Sequence, residues 1–116
     1  MSGEDKPGPL RARAQVTNVR GLHARAAARF VQQASQFSAE ITVSFGGHTV
    51  SGRSILGLMM LGAAQGTMLE IEAGGGSDAQ AAIERLTALV EGGFDENEPA
   101  PAAGPSEIGP GRRSGA

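Results

Sequence analysis

The hydrophobic pattern switches repeatedly between two periods. Leu10, Ala12, Ala14 and Val16 alternate with Arg11, Arg13, Gln15 and Thr17, which predicts a strand over 10–17 that is half buried on one face. Residues 18–22 read as a loop. Ala27, Phe30, Val31 and Ala34 then fall on one stripe of a helix running from 24 to about 36. Residues 41–45 alternate again, Gly46 and Gly47 supply a two-residue hairpin turn, and 48–51 return as a short edge strand. Ser54 as N-cap and Gly62 as stop bracket a helix of about two turns. Residues 67–73 predict a fourth strand with Leu69, Ile71 and Ala73 inward. Ser77 and Gln80 have the spacing of a capping box. It would open a last helix carrying Ala82, Ile83, Leu86, Leu89 and Val90 and ending at Gly92 and Gly93. The order is β-α-β-β-α-β-α. An α+β fold, with a four-stranded sheet covered by helices on one face, buries these stripes economically.

Composition limits what surrounds this unit. The chain has 116 residues, which makes one domain the default. Residues 1–9 and 95–116 are rich in Gly, Pro and polar side chains, so both are expected to be disordered around a folded domain at 10–94. No cysteine occurs, which excludes a disulfide framework and a thiolate metal site. No apolar run is long enough to span a membrane, and the first residues lack the layout of a secretory signal. A cytoplasmic location follows as the simplest expectation. The only aromatics are four phenylalanines, which argues against an RNA-binding sheet with exposed stacking platforms. Phe30, Phe37 and Phe45 are expected in the core or at its rim. No cofactor, metal or nucleic-acid signal is present.

Charge is unevenly distributed. Arg11, Arg13, Arg20, Arg25, Arg29 and Arg53 lie between residues 10 and 56 with Glu40 as the single acid. Between 57 and 98, Arg85 faces Glu70, Glu72, Asp78, Glu84, Glu91, Asp95, Glu96 and Glu98. The basic half suits an anionic group or an acidic partner, although alternation over a small solvated surface would look the same.

Candidate chemistry lies in that basic half. Gly21-Leu22-His23-Ala24-Arg25 delivers a histidine to the start of an Ala-rich helix. A helix start offers unpaired N–H groups and the positive end of a dipole, a natural place for phosphate. A neutral imidazole there is a nucleophile beside a phosphate cradle. The amides of Ala24 and Arg25 could receive phosphate oxygens, and the Arg25 guanidinium could add a charge-assisted contact. The bland alternative is a histidine that only caps its helix. His48, in the hairpin, has no such setting and reads as an exposed structural residue.

This segment resembles the active-site signature of the HPr family, the histidine-containing phosphocarriers of the phosphoenolpyruvate-dependent phosphotransferase system. Arg53-Ser54-Ile55-Leu56-Gly57-Leu58-Met59 resembles the same family's serine-phosphorylation signature, and the distance between the two motifs matches. The resemblance covers about residues 10–94. It implies an open-faced β-sandwich with a four-stranded antiparallel sheet and three helices on one side. It also implies a stoichiometric carrier rather than an enzyme. His23 would accept phosphate at Nδ1 from enzyme I and pass it to enzyme IIA domains, in a sugar or a nitrogen branch, with Arg25 assisting. Ser54, besides capping its helix, becomes a candidate regulatory phosphoserine for an HPr kinase/phosphorylase. Ile55, Leu56, Met59 and Met60 cannot all face inward and are expected to form a docking patch near His23, while Leu58 and Leu61 are expected in the core. The expected oligomeric state is a monomer. A second reading keeps the same sites but makes the protein a regulatory docking module, switched by phosphorylation of His23 or Ser54. One departure stands out: the family usually has proline after the arginine, and here Ala26 occupies that position.

Overall fold

The computed structural model describes residues 9–95; residues 1–8 and 96–116, most of the two segments expected to be disordered, lie outside the described residues. The elements follow the expected order: β1 (Leu10–Gln15), α1 (Ala24–Ala34), β2 (Glu40–Phe45), β3 (His48–Ser51), α2 (Ile55–Met60), β4 (Met68–Gly74) and α3 (Ala79–Glu91), closed by a 3-10 turn at Gly93–Asp95. The sheet has the order β1-β4-β2-β3, and every neighbouring pair is antiparallel. The hairpin glycines Gly46 and Gly47 take φ of 62° and 84°, the left-handed geometry that a tight two-residue connection demands.

Register sends the apolar positions to one side. Ala14 pairs with Leu69, and Ile71 pairs with both Ala12 and Val43. Ala14, Val43, Leu69, Ile71 and Ala73 are buried under the helices. Phe30 of α1, Leu58 of α2 and Leu86 of α3 meet them there, all fully buried. The opposite face is open and polar. Arg11 Nε lies 2.7 Å from Glu72 Oε2, and Arg13 stands opposite Glu70. Part of the charge asymmetry along the chain is thus resolved by cross-strand pairing between the basic first strand and the acidic fourth.

Some element ends differ from expectation. The α1 helix stops at Ala34 rather than near residue 36. Ser35 N still donates to Val31 O, but Gln36 N and Phe37 N donate to Gln33 O and Ala34 O three residues back, so the last turn tightens. Arg53 explains why the chain turns there. Its Nη2 donates to the carbonyls of Ala34 (3.2 Å), Phe37 and Ala39 (3.1 Å), placing a cation over the negative end of α1. Val31, expected on the buried stripe, is only half buried, and Ala26 is fully buried instead. Strand β1 ends at Gln15, where Val16 and Thr67 begin the connecting loops, although Val16 N still donates to Thr67 O at 2.8 Å.

The expected capping box at Ser77 and Gln80 does not form. Asp78 is the N-cap residue of α3, yet its side chain makes no bond to that helix. Instead Asp78 Oδ2 accepts from Ser38 N at 2.7 Å, and Oδ1 accepts from Ser38 Oγ and Ala39 N, each at 3.0 Å. Gln80 Nε2 donates to Glu84 Oε2 at 2.8 Å. Two backbone amides and a hydroxyl before β2 take up the carboxylate that a local cap would have used. The Ser38 amide, backed by its hydroxyl and the Ala39 amide, holds the Asp78 carboxyl below the ordinary aspartate value. A depressed folded-state pKa stabilises the fold when the group is ionised. That contribution is complete above the unfolded value of about 4 and disappears as pH falls through the lower folded value. Asp78→Asn should lower Tm at neutral pH and flatten the acid limb of stability against pH, as read by thermal melts across the acid range.

Candidate functional site

The loop before α1 is held by contacts remote in sequence. Gly21 adopts φ of 68°, and a Cβ there would lie 2.5 Å from Ala63 O. Only glycine permits this approach. The next amide, Leu22 N, donates to that same carbonyl at 3.0 Å, and Leu22 is buried. Asn18, itself buried, donates from Nδ2 to Gly21 O at 2.9 Å, and Gly21 N donates to Asn18 O at 3.1 Å. His23 N donates to Gly21 O at 2.9 Å. The histidine therefore arrives at the helix start on a fastened turn.

His23 is the N-cap of α1, with φ of −84° and ψ of −177°. Its carbonyl accepts the first helical bond from Ala27 N at 2.8 Å. Its Nδ1 accepts from Arg25 N at 3.3 Å. An accepting ring nitrogen carries no proton, so in this arrangement the proton of a neutral imidazole resides on Nε2. The lone pair of Nδ1 thus faces the first turn of α1, where the amides of Ala24 and Arg25 belong to the group with no intrahelical partner. The ring is half exposed, and Ala24 and Arg25 are exposed. The first turn contains no acidic residue that would compete with an arriving anion.

Ala26, at the third helical position, is fully buried. Its amide precedes the first bonded one, so proline would remove no helical hydrogen bond there. Ala26→Pro should leave phosphoryl acceptance within about threefold of the parent and raise stability by up to ~1 kcal/mol through the unfolded chain. Initial transfer rates and melting curves read the two effects separately.

Ser54 caps α2. Its Oγ accepts from Gly57 N at 2.9 Å, and Leu58 N donates to its carbonyl at 3.0 Å. Ser54 is half buried, while Ile55 (42%), Leu56 (67%), Met59 (40%) and Met60 (76%) are exposed. Leu58 and Leu61 turn into the core, as their spacing predicts. The helices α1 and α2 pack together. The end of α2 leads into Ala63, which fastens the His23 loop, whereas Arg53, just before Ser54, binds the far end of α1. His23 and Ser54 therefore lie at opposite ends of α1, whose 11 residues rise about 16 Å. Met59 and Met60 belong to the His23 end, and Ile55 belongs to the Ser54 end.

Several residues of this region carry no recognisable sequence signal. Asn18 and Ala63 shape the histidine loop through tertiary bonds alone. Val19, 78% exposed, adds an apolar side chain to the loop surface. Arg29 Nη1 donates to Phe94 O at 2.6 Å, tying α1 to the final turn. His48 is exposed on the edge strand, as expected. Among the described residues no group of three His, Cys, Asp or Glu side chains could hold a metal ion, and no helix is long and apolar enough to cross a membrane.

Comparison with known proteins aligns this geometry with one family. The family described as "PTS HPr component phosphorylation site" matches residues 10–92. The phosphocarrier protein HPr of Neisseria meningitidis is 46% identical over 89 residues, covering 77% of this chain and 99% of that protein. The phosphocarrier protein NPr of Shewanella violacea is 42% identical over 87 residues, covering 75% of this chain and 94% of that protein. The crystal structure of HPr from Bacillus anthracis superposes with a TM-score of 0.68 at 43% identity, covering 72% of this chain and 99% of that one.

Proposed function

The chain belongs to the HPr family and is a phosphocarrier of the phosphotransferase system; from that premise we propose that Nδ1 of His23 is the atom that carries the phosphoryl group. The observation supporting this is the capping geometry: Nδ1 accepts from the amide of Arg25 at 3.3 Å. In the transfer, its lone pair attacks phosphorus. The P–Nδ1 bond forms as the bond from phosphorus to the donor's leaving atom breaks. For that attack Nδ1 first releases the Arg25 amide, and that N–H, together with the N–H of Ala24, turns to the phosphoryl oxygens. The bond that caps the resting helix becomes a bond to the transferred group, so no polar group is stranded in either state. The Arg25 guanidinium, exposed and four atoms of side chain away, neutralises part of the added charge. Passing the group to an acceptor reverses each step, which makes the protein a stoichiometric relay and not an enzyme.

The partners this reading calls for are enzyme I as donor and enzyme IIA domains as acceptors, in the cytoplasm, with the protein acting as a monomer. A monomer suits a site that must face two partners in turn. Val19, Met59 and Met60 expose apolar surface, and flexible methionines adapt to more than one partner. Ser54 is proposed as a regulatory phosphoserine for an HPr kinase/phosphorylase. A phosphate at the start of α2 is tolerated electrostatically, so it would act on the docking surface rather than on folding. Relatives named HPr and NPr leave both the sugar and the nitrogen branch compatible with this site.

The test is incubation with enzyme I and labelled phosphoenolpyruvate. An acid-labile label should appear on the protein and pass on to an enzyme IIA domain. Absence of label under conditions that charge another HPr would sink the carrier assignment of His23. A stable label that passes to no enzyme IIA would favour the regulatory module instead.

A further inference from the structure

The open face of the sheet carries two polar rows that cross all four strands. In the first, register sets Arg11 opposite Glu72, Glu72 opposite Thr42, and Thr42 opposite Ser51. The second, two residues along each strand, runs through Arg13, Glu70, Ser44 and Thr49. The rows use their charges differently. Arg11 and Glu72 close an ion pair at 2.7 Å. Among the described residues, the side chains of Arg13 and Glu70 make no ion pair and no hydrogen bond. A cavity of about 470 Å³ opens along this second row instead, bounded by the hairpin turn and by Phe45 and Met68. That volume falls within the usual range of small-molecule sites.

The lining combines one guanidinium, one carboxylate, two hydroxyls and two apolar side chains. Ser44 Oγ and Thr49 Oγ1 lie 2.7 Å apart, so one hydroxyl proton is spent between them while lone pairs remain for a donor. Met68 is 40% exposed, and Phe45 is half buried. We infer that this cavity binds an α-amino acid with an apolar side chain. Arg13 takes the carboxylate through its planar fork of donors. Glu70 and the Ser44 hydroxyl opposite it take the ammonium. The ligand side chain lies against Met68 and Phe45. A simple carboxylate would meet the Glu70 charge, and a simple amine would meet that of Arg13. A ligand carrying both charges satisfies both groups. An exposed Arg–Glu pair contributes little by itself, so keeping the two apart for a ligand costs little. Two exposed ionic contacts and one apolar side chain support a Kd on the order of 1 mM. The cavity lies on the sheet face away from the helices, so an occupant leaves the His23 loop free. The inference therefore holds whether or not His23 is the carrier.

The experiment titrates the full chain with L-leucine and follows backbone amide signals by NMR. Those of residues 13, 44–47, 49, 68 and 70 should shift and saturate in the millimolar range. N-acetyl-L-leucine, which lacks the ammonium, and L-leucinamide, which lacks the carboxylate, should each bind at least fivefold more weakly. Arg13→Gln and Glu70→Gln should each weaken L-leucine binding by a similar factor. Arg11→Gln, in the row whose ion pair is closed, should leave it within twofold of the parent. Thermal melts of the three variants confirm that each is folded. Shifts that never saturate, or undiminished binding by either blocked probe, would overturn the site. So would an Arg11→Gln effect as large as that of Arg13→Gln, which would reduce the signal to diffuse charge. Shifts that follow protein concentration rather than L-leucine would assign the face to a second copy of the chain and overturn it as well.

Discussion

His23→Ala will give a folded protein whose phosphoryl acceptance falls to background. The two consequences separate cleanly because the side chain contributes little to the fold. The backbone bonds of His23, from its own N–H to Gly21 O and from Ala27 N to its carbonyl, do not involve the imidazole. The helix start loses the long cap bond of 3.3 Å from Arg25 N. Loss of an N-cap side chain costs about 1 kcal/mol, and a half-exposed ring adds little to that. The chemistry loses everything, since no other described side chain presents a nucleophilic nitrogen at the start of α1. His48, the second histidine, sits at the exposed edge of the sheet in β3. Circular dichroism and thermal melting should therefore report a near-native domain, while labelled transfer from phosphoenolpyruvate through enzyme I reports none. Residual acid-labile label at more than a few per cent of the parent would place the phosphoryl group elsewhere.

What was legible in advance follows from what is local. The alternation of Leu69, Ile71 and Ala73 and the stripe of Ala82, Ile83, Leu86, Leu89 and Val90 are properties of single elements, and all eight are buried as that periodicity requires. The division of α2 into exposed Ile55, Leu56, Met59 and Met60 and buried Leu58 and Leu61 follows from the same 3.6-residue period. His23 and Arg25 can be proposed from the sequence because both stand at one helix start. The failures are equally physical. Asp78 has the position of a local cap, but its carboxylate is drawn to amides 39 and 40 residues away, at Ala39 and Ser38. Phe94 stands at the last position of the expected folded unit and carries no periodic core signal, yet it is a fully buried plug. Arg53 reads as part of a serine motif, yet its guanidinium ends α1. Each error concerns a polar or aromatic group whose partner is set by tertiary approach, which no period in the chain encodes.

Gly21→Ala should damage both fold and site, and Gly62→Ala shows why. Both glycines have φ of 68°, so both substitutions impose the same left-handed backbone on alanine. That strain alone costs roughly 1–2 kcal/mol. Around Gly62 nothing lies within 4 Å of the new Cβ, so the strain is the whole effect. Around Gly21 the new carbon would meet Ala63 O at 2.5 Å and Ala64 Cα at 3.1 Å, and both obstacles are backbone. Relief requires the loop to swing away. That movement breaks the Leu22 N bond to the same Ala63 carbonyl and loosens the Asn18 contact to Gly21 O. Adding a lost buried hydrogen bond to the strain gives about 2–4 kcal/mol. For a domain of this size that lowers Tm by roughly 10 °C or more, about twice the effect at Gly62. Function should suffer beyond stability. Nδ1 of His23 follows the loop, and a displacement of about 1 Å from the amides of Ala24 and Arg25 is enough to cost at least tenfold in transfer. Transfer measured well below both melting points separates the two effects: Gly62→Ala should keep the parental rate, and Gly21→Ala should lose it while still folded. Equal rates in the two variants would mean that the turn at Gly21 serves only the fold.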